Sequence, residues 1–329
     1  MGVWQAADVA VLAVREGSEW RAALPVLGRR SFRSVPGRCL AVWRHTYCYL
    51  GTPLVAPEHP EKYLATMIAG GIRAGRTLIL DWIDADGPQV EPMTAALVSA
   101  SRPVTYERFG RAALYRRADG AYFERALSPS RRSEYRRQRR SLEREVGPLT
   151  LRNESQDPGA IERFLALESS SWKGRAGTAL AARGHGEFLT QVAGAFAAVG
   201  RLRLYTLSND DHTVAMICDL VAGDTCYGFK LTFAERLRKY GPGIQLLFDY
   251  VGDFDQSSLA RIDSCATYDS PWLNRFLVDR RPLQSVAANS RAPTGLLGAS
   301  KWFAAGAALP LRRRLHPPPA RAAPTAAQR

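Results

Sequence analysis

The segment Arg238-Lys239-Tyr240-Gly241-Pro242-Gly243 stands between a strand-like run, TCYGFKLTF at residues 225–233, and the helix-like stretch IQLLFDYV at residues 244–251. Glycines let an anion approach the backbone closely, and the free N–H groups and positive dipole of a starting helix point toward it. Arg238 and Lys239 would add charge-assisted hydrogen bonds. The segment therefore predicts a binding site for a diphosphate group. Its structural alternative is a tight turn that only links a strand to a helix.

The elements around this turn follow a regular order. The strand candidates are joined by the turn-rich segments SNDD at 208–211 and AGD at 222–224, and links this short favour an antiparallel meander. Two amphipathic helices come before the meander. The predicted elements are helices at 157–169 and 186–199, strands at 202–207, 214–221 and 225–233, a helix at 244–251 and a short strand at 259–264.

The glycine turn carries a resemblance to a known family. Arg238, Gly241 and Gly243 are similar to the Arg/Gln-x-x-Gly-x-Gly/Ala signature of the GNAT superfamily of acyl-CoA N-acyltransferases. The order of helices, meander, glycine turn, helix and strand resembles that superfamily as well. The resemblance covers residues 128–286 well and residues 1–125 loosely.

Several segments resemble one branch of the superfamily, the CelD-type proteins. These are FLALESSSWKGRAG at residues 164–177, the strand that contains Lys230, the turn at residues 240–243, and the region of Asp263 and Trp272. The branch is related to FemAB-like transferases and is often linked to polysaccharide or cell-envelope synthesis.

The resemblance implies an α/β (α+β) fold of tandem GNAT-like domains. Each would have a mixed, mostly antiparallel sheet flanked by helices, and the first domain would be degenerate. The predicted domains are a degenerate GNAT-like domain at residues 1–125, an acyltransferase domain at 126–290, and a basic, Pro/Ala-rich and partly disordered tail at 291–329.

The resemblance also implies direct acyl transfer from acetyl-CoA or another acyl-CoA as co-substrate, without a covalent enzyme intermediate. The thioester would lie along residues 225–233, its pantetheine pairing with the strand, while a backbone N–H polarises the carbonyl. The acceptor would be an amine or hydroxyl of a small molecule or glycan precursor. The residues assigned to acyl-CoA are Leu231, Thr232, Arg238, Lys239, Tyr240, Gly241, Gly243 and Ile244, and those assigned to the acceptor are Trp172, Lys173 and Lys230.

Transfer needs a base for the acceptor's proton and an acid for the departing thiolate. Glu168, at the end of its helix, is the first candidate base, and Asp263, which leaves the last strand, is the second. Tyr268 and Tyr240 are the candidate acids. The alternatives are a solvated helix-end carboxylate for Glu168 and ordinary core-edge aromatics for the tyrosines.

Two other functions stay open. A FemAB-like enzyme takes its aminoacyl group from tRNA, and the arginine-rich helix at residues 131–144 would then contact tRNA, although the long helical hairpin common in those enzymes has no counterpart here. The third hypothesis is a non-catalytic GNAT-fold partner in polysaccharide synthesis. The arginine-rich helix also fits a solvated face, because Tyr135, Leu142 and Val146 form a packing stripe on it.

Composition and charge narrow the function classes. The formal net charge of +14 favours anionic partners. Five cysteines without a CxxC pair favour a reducing cytoplasm over a disulfide framework. The five histidines are scattered, so no metal site is predicted. No apolar run is long enough to span a bilayer.

The C-terminal region is basic throughout. From Arg280 to Arg329 the sequence has nine Lys or Arg and no Asp or Glu, and from His316 onward it is Pro/Ala-rich and predicted to be disordered. Residues 295–314 combine large apolar groups with cations, which favours either weak contact with an anionic membrane or docking on the protein's own surface. Pro310 is expected to break a helix there.

Overall fold

The computed structural model describes residues 9–44, 47–267 and 270–315. They form two compact units: one is Arg111–Arg281, and the other comprises residues 9–110 and 282–315 of the described chain. The strands are β1 (Val9–Glu16), β2 (Glu19–Phe32), β3 (Val35–Val42), β4 (Leu54–Val55), β5 (Thr77–Asp84), β6 (Arg102–Tyr115), β7 (Thr150–Asn153), β8 (Leu202–Ser208), β9 (Thr213–Ala222), β10 (Thr225–Phe233), β11 (Arg261–Asp263) and β12 (Asp279–Asn289).

The helices connect and cover these strands. They are α1 (Pro60–Gly75), α2 (Val90–Ala100), α3 (Tyr122–Ala126), α4 (Pro129–Val146), α5 (Ala160–Ser170), α6 (Trp172–Arg175), α7 (Gly186–Ala198), α8 (Pro242–Gln256), α9 (Pro271–Phe276) and α10 (Thr294–Leu315). Short 3₁₀ turns occupy Ala181–Arg183 and Glu235–Tyr240.

The unit Arg111–Arg281 is built on a mixed sheet in the order β6-β11-β10-β9-β8-β7. The strands β7, β8, β9 and β10 pair antiparallel, β10 pairs parallel with β11, and β11 pairs antiparallel with the end of β6. The predicted meander and the mostly antiparallel sheet are confirmed. The parallel pair follows from the intervening helix α8, which carries the chain back to the starting end of the sheet.

Helices cover both faces of this sheet. Leu231 of β10 lies against Gly243 of α8, whereas the neighbouring Lys230 reaches Glu168 of α5. Because successive strand residues point to opposite faces, α8 and α5 lie on opposite sides. The helix α8 begins with Pro242 at its first position and buries an apolar stripe of Leu246, Leu247, Tyr250, Val251 and Phe254 against the sheet.

The other unit has strands in the order β1-β2-β3-β5-β12-β6. The strands β1, β2 and β3 pair antiparallel, the helix α1 follows, and β5 then pairs parallel with β3. The core lies between these strands and α1, whose buried side chains include Leu64 and Ile68.

The two units share one topology: an antiparallel meander, a helix, and a strand parallel to the last meander strand. The residues that precede the two equivalent helices are also alike. His59 before α1 and Gly241 before α8 both have the left-handed backbone conformation, and a proline follows each of them. This is the tandem arrangement that the resemblance implied. In the unit that contains α1, Glu61 lies in the first turn of that helix. Its negative charge disfavours the binding of an anion at the start of α1.

Two local predictions differ from the structure. The helix expected at 244–251 extends over Pro242–Gln256. The helix α10 continues through Pro310, so the expected break there is wrong. The segment from His316, predicted to be disordered, lies outside the described residues.

The chain's end contributes to the unit that contains its beginning. The strand β12 pairs with β5, and Trp302 of α10 packs on Tyr106. The division of the chain after Gly110 and after Arg281 therefore differs from the predicted domain boundaries at 125 and 290. A pairing between strands about 200 residues apart leaves no local signal in the sequence, which explains the difference.

Candidate active site

The site centres on an open edge of β10. This strand pairs with β9 as far as Phe233, but its described pairs with β11 cover only Thr225–Tyr227. The Ala234 N–H donates to the Val214 carbonyl at 2.8 Å. Along an antiparallel ladder, the backbone N–H and C=O groups of successive residues alternately face the partner strand and point away from it. The N–H of Ala234 faces β9, so the backbone groups of Leu231 and Phe233 point away from β9. An extended ligand could pair with this edge.

A β-bulge at Phe229 sets the direction of the side chains along that edge. Gly228 lies opposite Asp219 and Lys230 opposite Cys218, so Phe229 is the extra residue. Its N–H donates to Asp219 Oδ1 at 3.1 Å instead of joining the ladder. A bulge of this kind redirects the next side chain, and here it turns Lys230 toward α5.

Two lysines share one buried carboxylate beside this edge. Glu168 is 0% exposed, and its Oε1 lies 3.4 Å from Lys173 Nζ and 3.5 Å from Lys230 Nζ. Its Oε2 accepts the Leu180 N–H at 2.8 Å. Lys173 Nζ also donates to the Leu231 carbonyl at 2.7 Å. Two ammonium groups and one carboxylate leave a net positive charge at the open part of β10.

These contacts favour a positioning role for Glu168, and its assignment as the base stays a prediction. A general base has to reach the acceptor's proton, and this carboxylate instead faces two ammonium groups and a backbone N–H. The alternative of a solvated helix-end carboxylate is wrong, because the side chain is fully buried.

The glycine turn brings most of the predicted diphosphate residues to the start of α8. Gly241 has φ of 62°, a left-handed conformation that favours glycine. The Ile244 and Gln245 N–H groups both donate to the Gly241 carbonyl, while the Gly243 N–H makes no backbone hydrogen bond in the described chain. Gly243 also packs closely on β10: a Cβ there would stand 3.0 Å from Leu231 Cδ2, so that side chain would have to shift.

The cations of the turn are partly neutralised by carboxylates. Arg238 Nη1 lies 3.0 Å from Glu235 Oε1, and Lys239 Nζ lies 3.4 Å from Glu145 Oε2. Tyr240 donates its hydroxyl proton to the same Glu145 carboxylate. The hydrogen bonds from Tyr240 and Lys239 lower the pKa of Glu145. An arriving diphosphate would compete with these exposed pairs, and the contacts of Tyr240 do not favour its role as the acid.

Residues 129–272 match the family model described as acetyltransferase (GNAT) domain. This segment is a GNAT domain. Membership of the CelD-type branch stays a prediction.

Solved structures share the fold across most of the chain. The C-terminal domain (DUF2156) of a putative lysylphosphatidylglycerol synthetase from Agrobacterium fabrum is 11% identical, with a TM-score of 0.51 over 88% of this chain and 86% of that one. FemX is 10% identical, with a TM-score of 0.51 over 88% and 90%. L-PGS from Bacillus licheniformis is 11% identical, with a TM-score of 0.51 over 90% and 89%. The comparison with curated proteins found no match. At this identity the likeness concerns the fold alone.

Asp263 is part of a buried ion triad in the unit Arg111–Arg281. Its Oδ2 lies 2.6 Å from Arg281 Nη1 and 3.3 Å from Arg111 Nη1, and its Oδ1 accepts the Cys265 N–H. All three charged side chains are almost completely buried. These contacts favour a structural role over that of a base. Tyr268, the other candidate acid, lies outside the described residues.

The remaining predicted residues lie in different environments. Thr232 is buried, and its hydroxyl has no hydrogen-bond partner in the described chain. Trp172 is half-buried in α6 beside Lys173. Ile244 packs against the apolar cluster that contains Tyr135 and Phe276, which places it on the α4 side of α8.

A buried polar network in the GNAT domain was not predicted. Asp219 accepts the Tyr250 hydroxyl at 2.7 Å, and Arg203 Nε lies 3.2 Å from that hydroxyl oxygen. Burial raises the pKa of Asp219 to about 6, against the hydrogen bonds from Tyr250 and Phe229 that lower it. The available signal was an aspartate inside the apolar strand VAMICDLV at residues 214–221. Through Phe229, this network holds the bulge that orients Lys230.

The described part of the chain has neither a metal-binding cluster nor a membrane-spanning helix. Across residues 9–44, 47–267 and 270–315, no group of three or more His, Cys, Asp or Glu side chains is placed to bind a metal ion. No helix in the described chain has the length and hydropathy needed to cross a bilayer.

Proposed function

We propose that the chain is an acyltransferase that takes an acyl group, most often acetyl, from coenzyme A. The observation that carries this proposal is the open edge of β10 at Leu231 and Phe233, next to the start of α8 and to the lysine pair. The outward N–H groups of this edge suit an extended pantetheine amide chain. The Gly243 N–H and the dipole of α8, with Arg238 and Lys239, would hold the diphosphate.

The lysine pair would act on the reacting carbonyl. Acyl-CoA supplies an activated thioester, and attack by the acceptor builds negative charge on the carbonyl oxygen. Lys230 is the residue proposed to stabilise this charge, with Glu168 and Lys173 fixing its position. The acceptor loses a proton, and the departing thiolate gains one. Glu168 already contacts two ammonium groups and a backbone N–H, so the acceptor is proposed to lose its proton through water.

The acceptor is proposed to be an amine or hydroxyl on an envelope or exopolysaccharide precursor. This part rests on the resemblance to the CelD-type branch. The positive charges of Lys173 and Lys230 suit an acceptor with anionic groups. The half-buried Trp172, next to Lys173, offers an apolar ring to the face of a sugar.

Thermal unfolding with acetyl-CoA tests the donor. A ligand that binds only the folded state at about 100 times its Kd stabilises it by about 2.7 kcal/mol, which raises the Tm of a domain of this size by about 5–10 °C. The double substitution Arg238→Gln/Lys239→Gln should remove most of this shift. The control Arg152→Gln removes an exposed cation on β7, at the other end of the sheet, and should leave the shift intact.

One observation favours a second candidate, aminoacyl transfer from tRNA. On α4 the exposed side chains of Arg136 and Arg140 lie one helical turn apart, and no carboxylate pairs with either in the described chain. A Tm shift given by aminoacyl-tRNA but not by deacylated tRNA, and lost in Arg136→Gln/Arg140→Gln, would support this candidate. No shift with either donor would contradict both and favour the non-catalytic hypothesis.

A further inference from the structure

The helix α10 docks on its own unit by one side. Trp302 is buried, with ring centroids 4.7 Å from Tyr106 and 6.2 Å from Phe32. Two glycines lie on this side: a Cβ on Gly298 would stand 2.7 Å from Asn289 Oδ1, and one on Gly306 3.1 Å from the Tyr106 backbone. This close packing fixes which side of the helix faces the protein.

The side turned away from Trp302 carries large apolar groups. Leu296 is 51% exposed, Leu297 72% and Phe303 74%. At 100° per residue, all three project at 100° or more from the direction of Trp302. Exposing three large apolar side chains on one helix face costs free energy in water, so this face fits an apolar partner.

Two exposed cations lie on the helix α10 or just before it. Lys301 is exposed on the same helix, and Arg291 lies just before it. Arg291 Nη1 donates to the Val98 and Ser99 carbonyls, which brings it beside the exposed Val98 at the end of α2. From Arg280 to the end of the sequence there is no Asp or Glu.

We propose that this face of α10 docks on the surface of an anionic lipid bilayer. The leucines and the phenylalanine would enter the boundary between headgroups and acyl chains, while Lys301 and Arg291 meet the anionic headgroups. A second copy of the chain fits this face less well. A two-fold contact would set Lys301 and Arg291 against their own copies, with no acidic residue of this segment to pair with them.

Cosedimentation of the full chain with vesicles tests the proposal. Binding is expected to vesicles of phosphatidylcholine mixed with phosphatidylglycerol, to fall with salt, and to be weak with phosphatidylcholine alone. The double substitution Leu297→Ser/Phe303→Ser should lower the bound fraction about tenfold or more. The control Leu54→Ser changes an equally exposed leucine (74%) on β4 and should leave binding unchanged.

Three outcomes would overturn the proposal. They are no binding to the anionic vesicles, equal binding to both vesicle types, and binding that the double substitution leaves unchanged. If the wild-type chain is instead a dimer that this substitution makes monomeric, without vesicle binding, the face is an interface between copies. The readout needs no thioester, so its result is independent of the proposed acyl transfer.

Discussion

Replacing Lys230 by methionine is expected to lower kcat for acyl transfer about 100-fold to 1,000-fold. This is the usual cost of removing one preorganised donor from a developing oxyanion. Lys230 follows the bulge at Phe229 and is held by the buried Glu168. Methionine keeps the length and the apolar stem of the side chain but lacks the charge. The rate is measured as thiol release from acetyl-CoA with hydroxylamine or glucosamine as the acceptor amine.

The KM for acetyl-CoA should change little in this variant, because the diphosphate is proposed to bind at the start of α8. A merely structural role of Lys230 would change KM and Tm together. The control Lys62→Met removes an exposed lysine of α1 that pairs with Glu16. A kcat within twofold of wild type in Lys230→Met would contradict the assignment.

Replacing Asp263 by asparagine is expected to lower the free energy of unfolding by about 3–5 kcal/mol. Breaking a buried ion group by removing one member is strongly destabilising, and here Arg111 and Arg281 lose their buried ion pairs with Asp263. Urea denaturation of the full chain measures the loss. Since apolar replacements of a whole buried ion group are often neutral, the triple substitution Asp263→Leu/Arg111→Met/Arg281→Met should recover most of the stability.

The control for this prediction is Asp210→Asn. Asp210 pairs with Arg152 at the surface, where an ion pair contributes about 0–1 kcal/mol. A loss below about 1 kcal/mol in Asp263→Asn, together with a large loss of activity, would contradict the structural role and revive Asp263 as a base.

The sequence predicted the glycine turn and its meander because these features are local. Short polar links imply antiparallel neighbours, and glycine and proline mark the start of α8 within a few residues. The sequence identified Glu168, Lys173 and Lys230 separately but did not predict that they contact one another. They come together only because α5 and α6 pack on β10. Whether Glu168 was solvated or buried depended on that packing.

Other features had no local signal. The partners of Asp263 are 152 and 18 residues away in the chain, so its charge neutralisation was not visible in the sequence. The bulge at Phe229 depends on Asp219 of the neighbouring strand. The cations and apolar groups of α10 are visible in the sequence. Which of them are exposed depends on the packing of Trp302 against the protein, which the sequence does not predict.

Backbone hydrogen exchange in the presence of acetyl-CoA tests the central claim most directly. The claim is that the thioester carrier lies along the open edge of β10 and ends at the start of α8. We predict that saturating acetyl-CoA slows exchange of the Leu231, Phe233 and Gly243 N–H groups, and that Arg238→Gln/Lys239→Gln weakens this protection. Unchanged exchange at these three groups, with protection elsewhere or nowhere, would contradict the account.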